Sequence, residues 1–118
     1  MNAGDCFCGA FRIGQIKHYW IVLCDCDANG EVLIVNFTTP KFYSPKAHVV
    51  STRSFTTLQH DSEVAWGFAM PKEAAKIREA INQKLFTTHP GMSKQQLEQL
   101  IADGDAKKLI PKEIRKRL

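Results

Sequence analysis

Two short apolar runs joined by a tight turn constrain this chain more than any other feature. Tyr19-Trp20-Ile21-Val22-Leu23-Cys24 is continuously apolar and short, which reads as a strand buried on both faces. Asp27, Asn29 and Gly30 follow it and supply a turn with residues able to take left-handed backbone. Glu31 to Phe37 then gives a second strand rich in β-branched side chains. Two such runs joined in this way predict an antiparallel hairpin.

Shorter extended segments surround that hairpin. Phe7, Phe11 and Ile13 suggest a first strand over residues 5–13, punctuated by Gly4, Gly9 and Gly14. Thr38-Thr39-Pro40 ends the third strand, and Pro40 and Pro45 bracket a loop. Residues 48–51 read as a strand and 55–58 as a short extended piece. Residues 62–70 alternate Val64, Trp66 and Phe68, the pattern of a half-buried strand. Pro71 is well placed to open a helix, and Ala74, Ile77, Ile81 and Leu85 carry the helical period to about Phe86. Residues 87–91 read as a loop. Ser93 and Gln96 form a capping-box pattern ahead of Leu97, Leu100 and Ile101. Gly104 is expected to close that helix, and Pro111 to open a last one reaching Leu118. The expectation is an α+β chain: a five- or six-stranded antiparallel sheet or small β-barrel over 1–70, then two or three helices over 71–118, packed as a single domain.

Charge divides at the same place. Residues 1–70 carry 5 Lys and Arg against 6 Asp and Glu, whereas residues 71–118 carry 11 against 6. A near-neutral β part and a basic helical part suit a polyanion or an acidic protein partner. With 118 residues, 44% of them hydrophobic and 24% charged, one globular domain is expected. No apolar run approaches the roughly 18 residues of a membrane-spanning helix, so no membrane partner is expected. Met1 to Asp5 lacks the basic and apolar regions of a secretory signal. The expected location is cytoplasmic, with the cysteines reduced. The phosphate-binding, dinucleotide, serine-hydrolase and zinc-protease motifs are all missing.

Several residues carry possible chemistry. Cys6/Cys8 and Cys24/Cys26 form two Cys-x-Cys pairs, each projecting from one face of an extended strand. Neighbouring strands in register would let four thiolates meet a tetrahedral zinc. Small buried thiols are the favoured alternative, so no cofactor is expected. His18 and His60 each precede a strand, where a histidine can exchange protons near neutral pH. Thr38 and Thr39 end the third strand and offer hydroxyls to a phosphate or a developing charge. Arg12, Lys17, Lys41, Lys46 and Arg53 lie in or beside the loops of the β part, with Phe42 and Tyr43 among them. Cations beside aromatics suit single-stranded RNA, whose phosphates need neutralising and whose bases stack. The run Lys112 to Arg117 is a further basic face.

The β part resembles the MazF/PemK-like toxins of type II toxin–antitoxin systems. The resemblance rests on Gly4-Asp5, the polar loop from Arg12 to His18, Trp20-Ile21-Val22-Leu23, and Val32-Leu33-Ile34-Val35-Asn36-Phe37-Thr38-Thr39. Lys17-His18 stands where the family has arginine, and Tyr19 where it has proline. The resemblance implies an SH3-like barrel, metal-independent cleavage of single-stranded RNA, an antitoxin partner and a homodimer. On that reading His18 or His60 moves the proton, while Arg12, Lys17 and Thr39 stabilise the phosphorane. Thr38, Lys41, Tyr43, Lys46 and Arg53 hold the strand. The alternative is a non-catalytic module of the same fold that binds nucleic acid or a protein partner.

Overall fold

A computed structural model describes residues 1–40 and 46–118. Among these residues it shows a seven-stranded antiparallel sheet with three α-helices. The strands are β1 (Cys6–Gly9), β2 (His18–Val22), β3 (Glu31–Thr38), β4 (Val49–Val50), β5 (Ser62–Val64), β6 (Met70–Glu73) and β7 (Thr87–His89). The helices are α1 (Ala74–Asn82), α2 (Lys94–Ala106) and α3 (Lys112–Arg115).

The central hairpin forms as its sequence dictates. Trp20, Ile21 and Val22 pair with Asn36, Val35 and Ile34. Asp27 organises the turn: its Oδ1 accepts the backbone N–H groups of Asn29 and Glu31, each at 2.9 Å, and Gly30 takes φ 78°, which a side chain would disfavour. Those backbone N–H groups, Glu31 first, hold the Asp27 carboxyl below its ordinary range. The Arg117 guanidinium, 2.9 Å from Asp27 Oδ2, also favours the carboxylate and ties the C-terminus to this turn.

Both faces of the hairpin are covered. Ile21, Leu23, Leu33, Val35 and Phe37 pack with Trp66, Leu97, Leu100 and Ile114. Trp20, Val22, Val32 and Ile34 pack on the other side with Phe7, Ala74, Ile77 and Phe86. Each fully buried aliphatic side chain of this kind contributes about 2 kcal/mol, so the two layers stabilise the sheet from opposite sides.

The sheet is not closed into a barrel. Its order is β4-β5-β3-β2-β1-β7, with β6 also paired to β3. The first strand stops at Gly9 rather than residue 13, and β7, in the segment read as a loop, takes its outer side. The edge that barrel closure would need is thus occupied by a strand from the second half of the chain.

The segment read as one strand over 62–70 is interrupted. Val64 pairs with Phe37 and Met70 with Ile34, so six steps along one strand face three along the other. The surplus is taken up by a 3-10 turn, Trp66–Phe68, which turns Trp66 inward at 2% exposure and leaves Phe68 72% exposed. Residues 55–58 form turns rather than a strand. Pro71 lies inside β6, opposite Leu33. A proline is tolerated there because β6 is an edge strand that needs no N–H on its outer side. The helix therefore begins later, at Ala74, and ends at Asn82, leaving Leu85 exposed and Phe86 buried beyond it.

The capping box is present: Ser93 Oγ accepts from the Gln96 N–H at 3.1 Å, and the Gln96 side chain accepts from the Ser93 N–H at 2.9 Å. Gly104 does not end α2. It sits inside the helix, buried against the Trp66 indole, so its role is close approach rather than termination. Pro111 caps α3, which is shorter than expected.

Trp66 Nε1 donates to His48 Nδ1 at 2.9 Å. The imidazole is therefore neutral, with its proton on Nε2. Burial pushes its pKa below the usual value; the Asp103 carboxylate opposes this and the Lys107 ammonium adds to it. The unfolded chain binds this proton more readily, so the stabilising term is complete above about pH 6.5 and is lost as pH falls from there. The denaturant midpoint of the wild type should drop between about pH 7.5 and about pH 5.5. His48→Gln, which keeps an acceptor without titrating, should flatten that drop. An equally steep drop in the variant would contradict the assignment.

Candidate nucleic-acid interface

A concave surface lies between the loop of residues 10–17 and α1. It is a groove of about 580 Å³ whose walls include Phe11, Arg12, Ile13, Lys17, Lys72, Lys76, Lys84, Leu85 and Phe86. The loop exists because β1 ends at Gly9, while α1 and its flanks supply Lys72, Lys76, Ala80 and Lys84 at four-residue intervals. Only Lys76 and Ala80 are on α1, where that spacing shares one face; Lys72 comes from β6 and Lys84 from beyond the helix end. The floor is apolar. Phe11 meets Trp20 edge-on at 5.0 Å and Phe86 at 5.1 Å, and the Lys72 ammonium lies 4.8 Å from the Phe11 ring centroid, a cation–π contact. Ile13 is fully exposed at the loop tip.

Among the described residues, five cations and no carboxylate line this groove. Lys76 is paired with Glu73 at 3.5 Å. Among the described residues, Arg12, Lys17, Lys72 and Lys84 make no ion pair. Such a surface concentrates anions.

Two of the sequence-derived candidates, Arg12 and Lys17, thus share this groove. His18 follows Lys17 directly and opens β2. Its Nδ1 is 3.1 Å from the Phe37 carbonyl oxygen. That oxygen only accepts, so Nδ1 is the donor in this contact. Continuing the β2–β3 register brings His18 opposite Thr38, which is itself paired with Glu63 on β5. Thr39 is exposed just beyond. His60 lies elsewhere, at the head of β5 on the far side of β3, about 10 Å from β2 by two strand spacings. Its ring nitrogen is held by its own turn, 3.0 Å from the Asp61 carbonyl oxygen. Arg53 is exposed in the turn after β4, and Lys46 is exposed ahead of β4. Lys41, Phe42 and Tyr43 lie outside the described residues.

The four cysteines do not converge, so the zinc arrangement of Cys6, Cys8, Cys24 and Cys26 is not formed; all four are free thiols. Cys6 pairs with Ile21 and Cys8 with Tyr19. Cys24 therefore falls three residues past the partner of Cys6, about 10 Å further along the chain by strand rise. Cys26 lies further still. It has left β2, which ends at Val22, and is exposed beside the turn, its Sγ 3.7 Å from the Asp27 carbonyl oxygen. The Cys24/Cys26 pair thus fails on both counts the zinc reading needs, an extended strand and a register opposite Cys6 and Cys8. A tetrahedral zinc needs its sulfurs roughly 4 Å apart. Burial, with a smaller contribution from Cys8, pushes the Cys6 thiol up to about 12, so it is protonated at neutral pH. Among the described residues no group of three or more His, Cys, Asp or Glu side chains is placed to hold a metal. No described helix is long and apolar enough to cross a membrane.

Beside His18 and Thr38 on the same face of the sheet sits Asn36. It is 5% exposed, and among the described residues its buried Oδ1 has no hydrogen-bond partner. Such an orphan costs about 1–3 kcal/mol. Neighbouring positions 32–35 and 37 are all apolar, and the sequence reading passes over Asn36 inside that run. A polar residue interrupting a fully buried strand is the available signal. The groove lysines 72, 76 and 84 are likewise missed individually.

No family model and no curated protein matches this sequence.

Proposed function

We propose that this protein binds single-stranded RNA along the groove between the 10–17 loop and α1. The observation that carries the reading is the combination of four unpaired cations with an aromatic floor, Lys72 resting on Phe11. Phosphates would meet Arg12, Lys17, Lys72 and Lys84, while a base would stack on the accessible Phe11 ring. Single strands fit this geometry better than duplex, because a duplex keeps its bases stacked on one another and away from Phe11.

A second reading is cleavage of that strand, as in the MazF/PemK-like toxins that the β part resembles. His18 favours it, since its imidazole stands at the strand end with Lys17 and Thr38 as its neighbours. The ribose 2′-hydroxyl would attack the adjacent phosphorus, Nε2 would take its proton, and the 5′-oxygen would leave. An SH3-like relationship, an antitoxin and a homodimer belong to this same reading. A long unstructured RNA incubated in EDTA tests it. Discrete fragments from wild type and intact RNA with His18→Ala support cleavage. Intact RNA with both, while binding persists, leaves the protein as a binding module.

A further inference from the structure

We propose that a second cavity, on the other flank of α1 from the groove, takes a guanine nucleotide of the bound strand. The inference rests on the groove binding RNA and adds a base-specific site next to it. The cavity has a volume of about 410 Å³, and its walls include Asp5, Arg78, Ile81, Thr88 and His89. That size falls within the roughly 300–1,000 Å³ of small-molecule sites. Two observations relate it to the groove. Lys76 lines the groove and Arg78 the cavity. Two residues apart on α1, they point to opposite flanks, since each residue turns a helix by about 100°. Phe86 lines the groove and Thr88 the cavity, at most about 7 Å apart along the chain that enters β7. A strand passing the C-terminal end of α1 meets both.

The lining chemistry selects the base. Asp5 is exposed and makes no ion pair among the described residues. Its backbone is fixed: its carbonyl oxygen accepts from the Val22 N–H at 2.9 Å, and its own N–H donates to the Asn2 carbonyl oxygen at 3.1 Å. Its Oδ2 accepts the Asn2 N–H at 2.9 Å, which leaves lone pairs on both carboxylate oxygens. A carboxylate only accepts, so it suits a base edge with two adjacent donors. Guanine is the RNA base that presents them, N1–H beside its N2 amino group. Adenine and cytosine set an acceptor beside their amino group, and uracil flanks its N3–H with oxygens, so each would put a lone pair against the carboxylate. Two acceptors facing two donors give the bidentate geometry that discriminates bases. Arg78 also makes no ion pair among the described residues, and its planar fork suits the nucleotide's phosphate. His89 Nε2 is 2.9 Å from Thr87 Oγ1, and its ring meets Tyr19 edge-on at 5.1 Å. These contacts position a flat ring of the kind bases stack on.

The test uses the full chain. Fluorescence anisotropy measures its affinity for oligouridine with and without a single guanine, and calorimetry its affinity for the guanosine, adenosine, cytidine and uridine monophosphates. One guanine should raise the oligonucleotide's affinity roughly tenfold, and guanosine monophosphate should bind roughly tenfold better than the other three. Asp5→Asn keeps an acceptor for the Asn2 N–H but replaces the second oxygen with a donor. It should erase both preferences and leave the salt dependence of oligouridine binding unchanged. Arg78→Gln, at an exposed position of α1, is the second probe and serves if Asp5→Asn fails to fold. It should weaken guanosine monophosphate without weakening guanosine, and an equal loss of both would remove the phosphate from Arg78 and overturn the proposal. Oligouridine that binds equally with and without guanine, or a preference unchanged in Asp5→Asn, would also overturn it. Selectivity for the free monophosphate alongside an indifferent oligonucleotide would make a free nucleotide the occupant and overturn the placement on the strand. Absence of binding to any oligonucleotide would instead overturn the groove reading. The monophosphates then decide the cavity by themselves: selectivity for guanosine monophosphate supports it, and equal or absent binding of all four overturns it.

Discussion

Trp66→Ala is expected to destabilise the protein by about 3–5 kcal/mol, the range for truncating a buried aromatic residue. Domains of this size are stable by only about 5–15 kcal/mol, so the variant should be largely unfolded or melt far below wild type. Trp66 is fully buried between the sheet and α2, where it packs with Leu97, Leu100 and Val64. Its removal leaves a cavity and also strips His48 Nδ1 of its donor. Gly104→Ala probes the same contact from the other side. In an ordinary helix that change stabilises by about 1 kcal/mol. Here the new methyl carbon would stand 2.7 Å from the Trp66 ring, and a ring fixed by its hydrogen bond and its packing has nowhere to go. The sign should reverse, with a loss of about 1–3 kcal/mol. Combining Gly104→Ala with Trp66→Phe should give less than the sum of the two single effects, because the smaller ring vacates the space. Equilibrium denaturation of the four proteins measures this. Strict additivity would mean that Gly104 and Trp66 do not meet as described.

The second large effect concerns binding. Lys72→Glu with Lys84→Glu should weaken affinity for an unstructured RNA by at least about a hundredfold at moderate salt, since two attractions become repulsions in one groove. Neither residue is buried, so the melting temperature should stay near that of wild type. Lys112→Glu with Lys116→Glu supplies the control. Those positions lie on α3 and its C-cap, carry the same charge change, and are outside the groove. If both double variants lose affinity equally, net charge rather than the groove governs binding.

The parts of the fold legible in the sequence are those set by local chemistry. The hairpin is written by Tyr19 to Cys24, the Asp27–Gly30 turn and Glu31 to Phe37. The α2 start is written by Ser93 and Gln96, whose reciprocal hydrogen bonds involve only residues three apart. What escapes is decided by distant partners. Val64, Trp66 and Phe68 alternate like a strand, yet register against β3 forces surplus residues into a turn. Pro71 reads as a helix opener, but its place opposite Leu33 puts it on a sheet edge. Gly104 reads as a helix stop because nothing in the local sequence announces Trp66. β7 is three residues without an apolar pattern and exists because β1 offers an open side.

The candidate site divides in the same way. Arg12, Lys17 and His18 can be singled out as polar residues in a loop before a buried strand. Lys72, Lys76 and Lys84 join them only because α1 packs beside that loop. Asn36 becomes notable only once both faces of β3 are known to be covered. His60 reads like His18 in sequence, but β3 separates their strands. Cys24 and Cys26 repeat the spacing of Cys6 and Cys8, but the β1–β2 register carries them past the first pair.

The most direct test of the central claim is the salt dependence of wild-type binding to an unstructured RNA oligonucleotide. Plotted as logarithm of association constant against logarithm of salt, the line should have a slope of about −3, reflecting roughly four phosphates neutralised by Arg12, Lys17, Lys72 and Lys84. A slope near zero, or no binding at low salt, would contradict a groove built to hold a nucleic-acid strand.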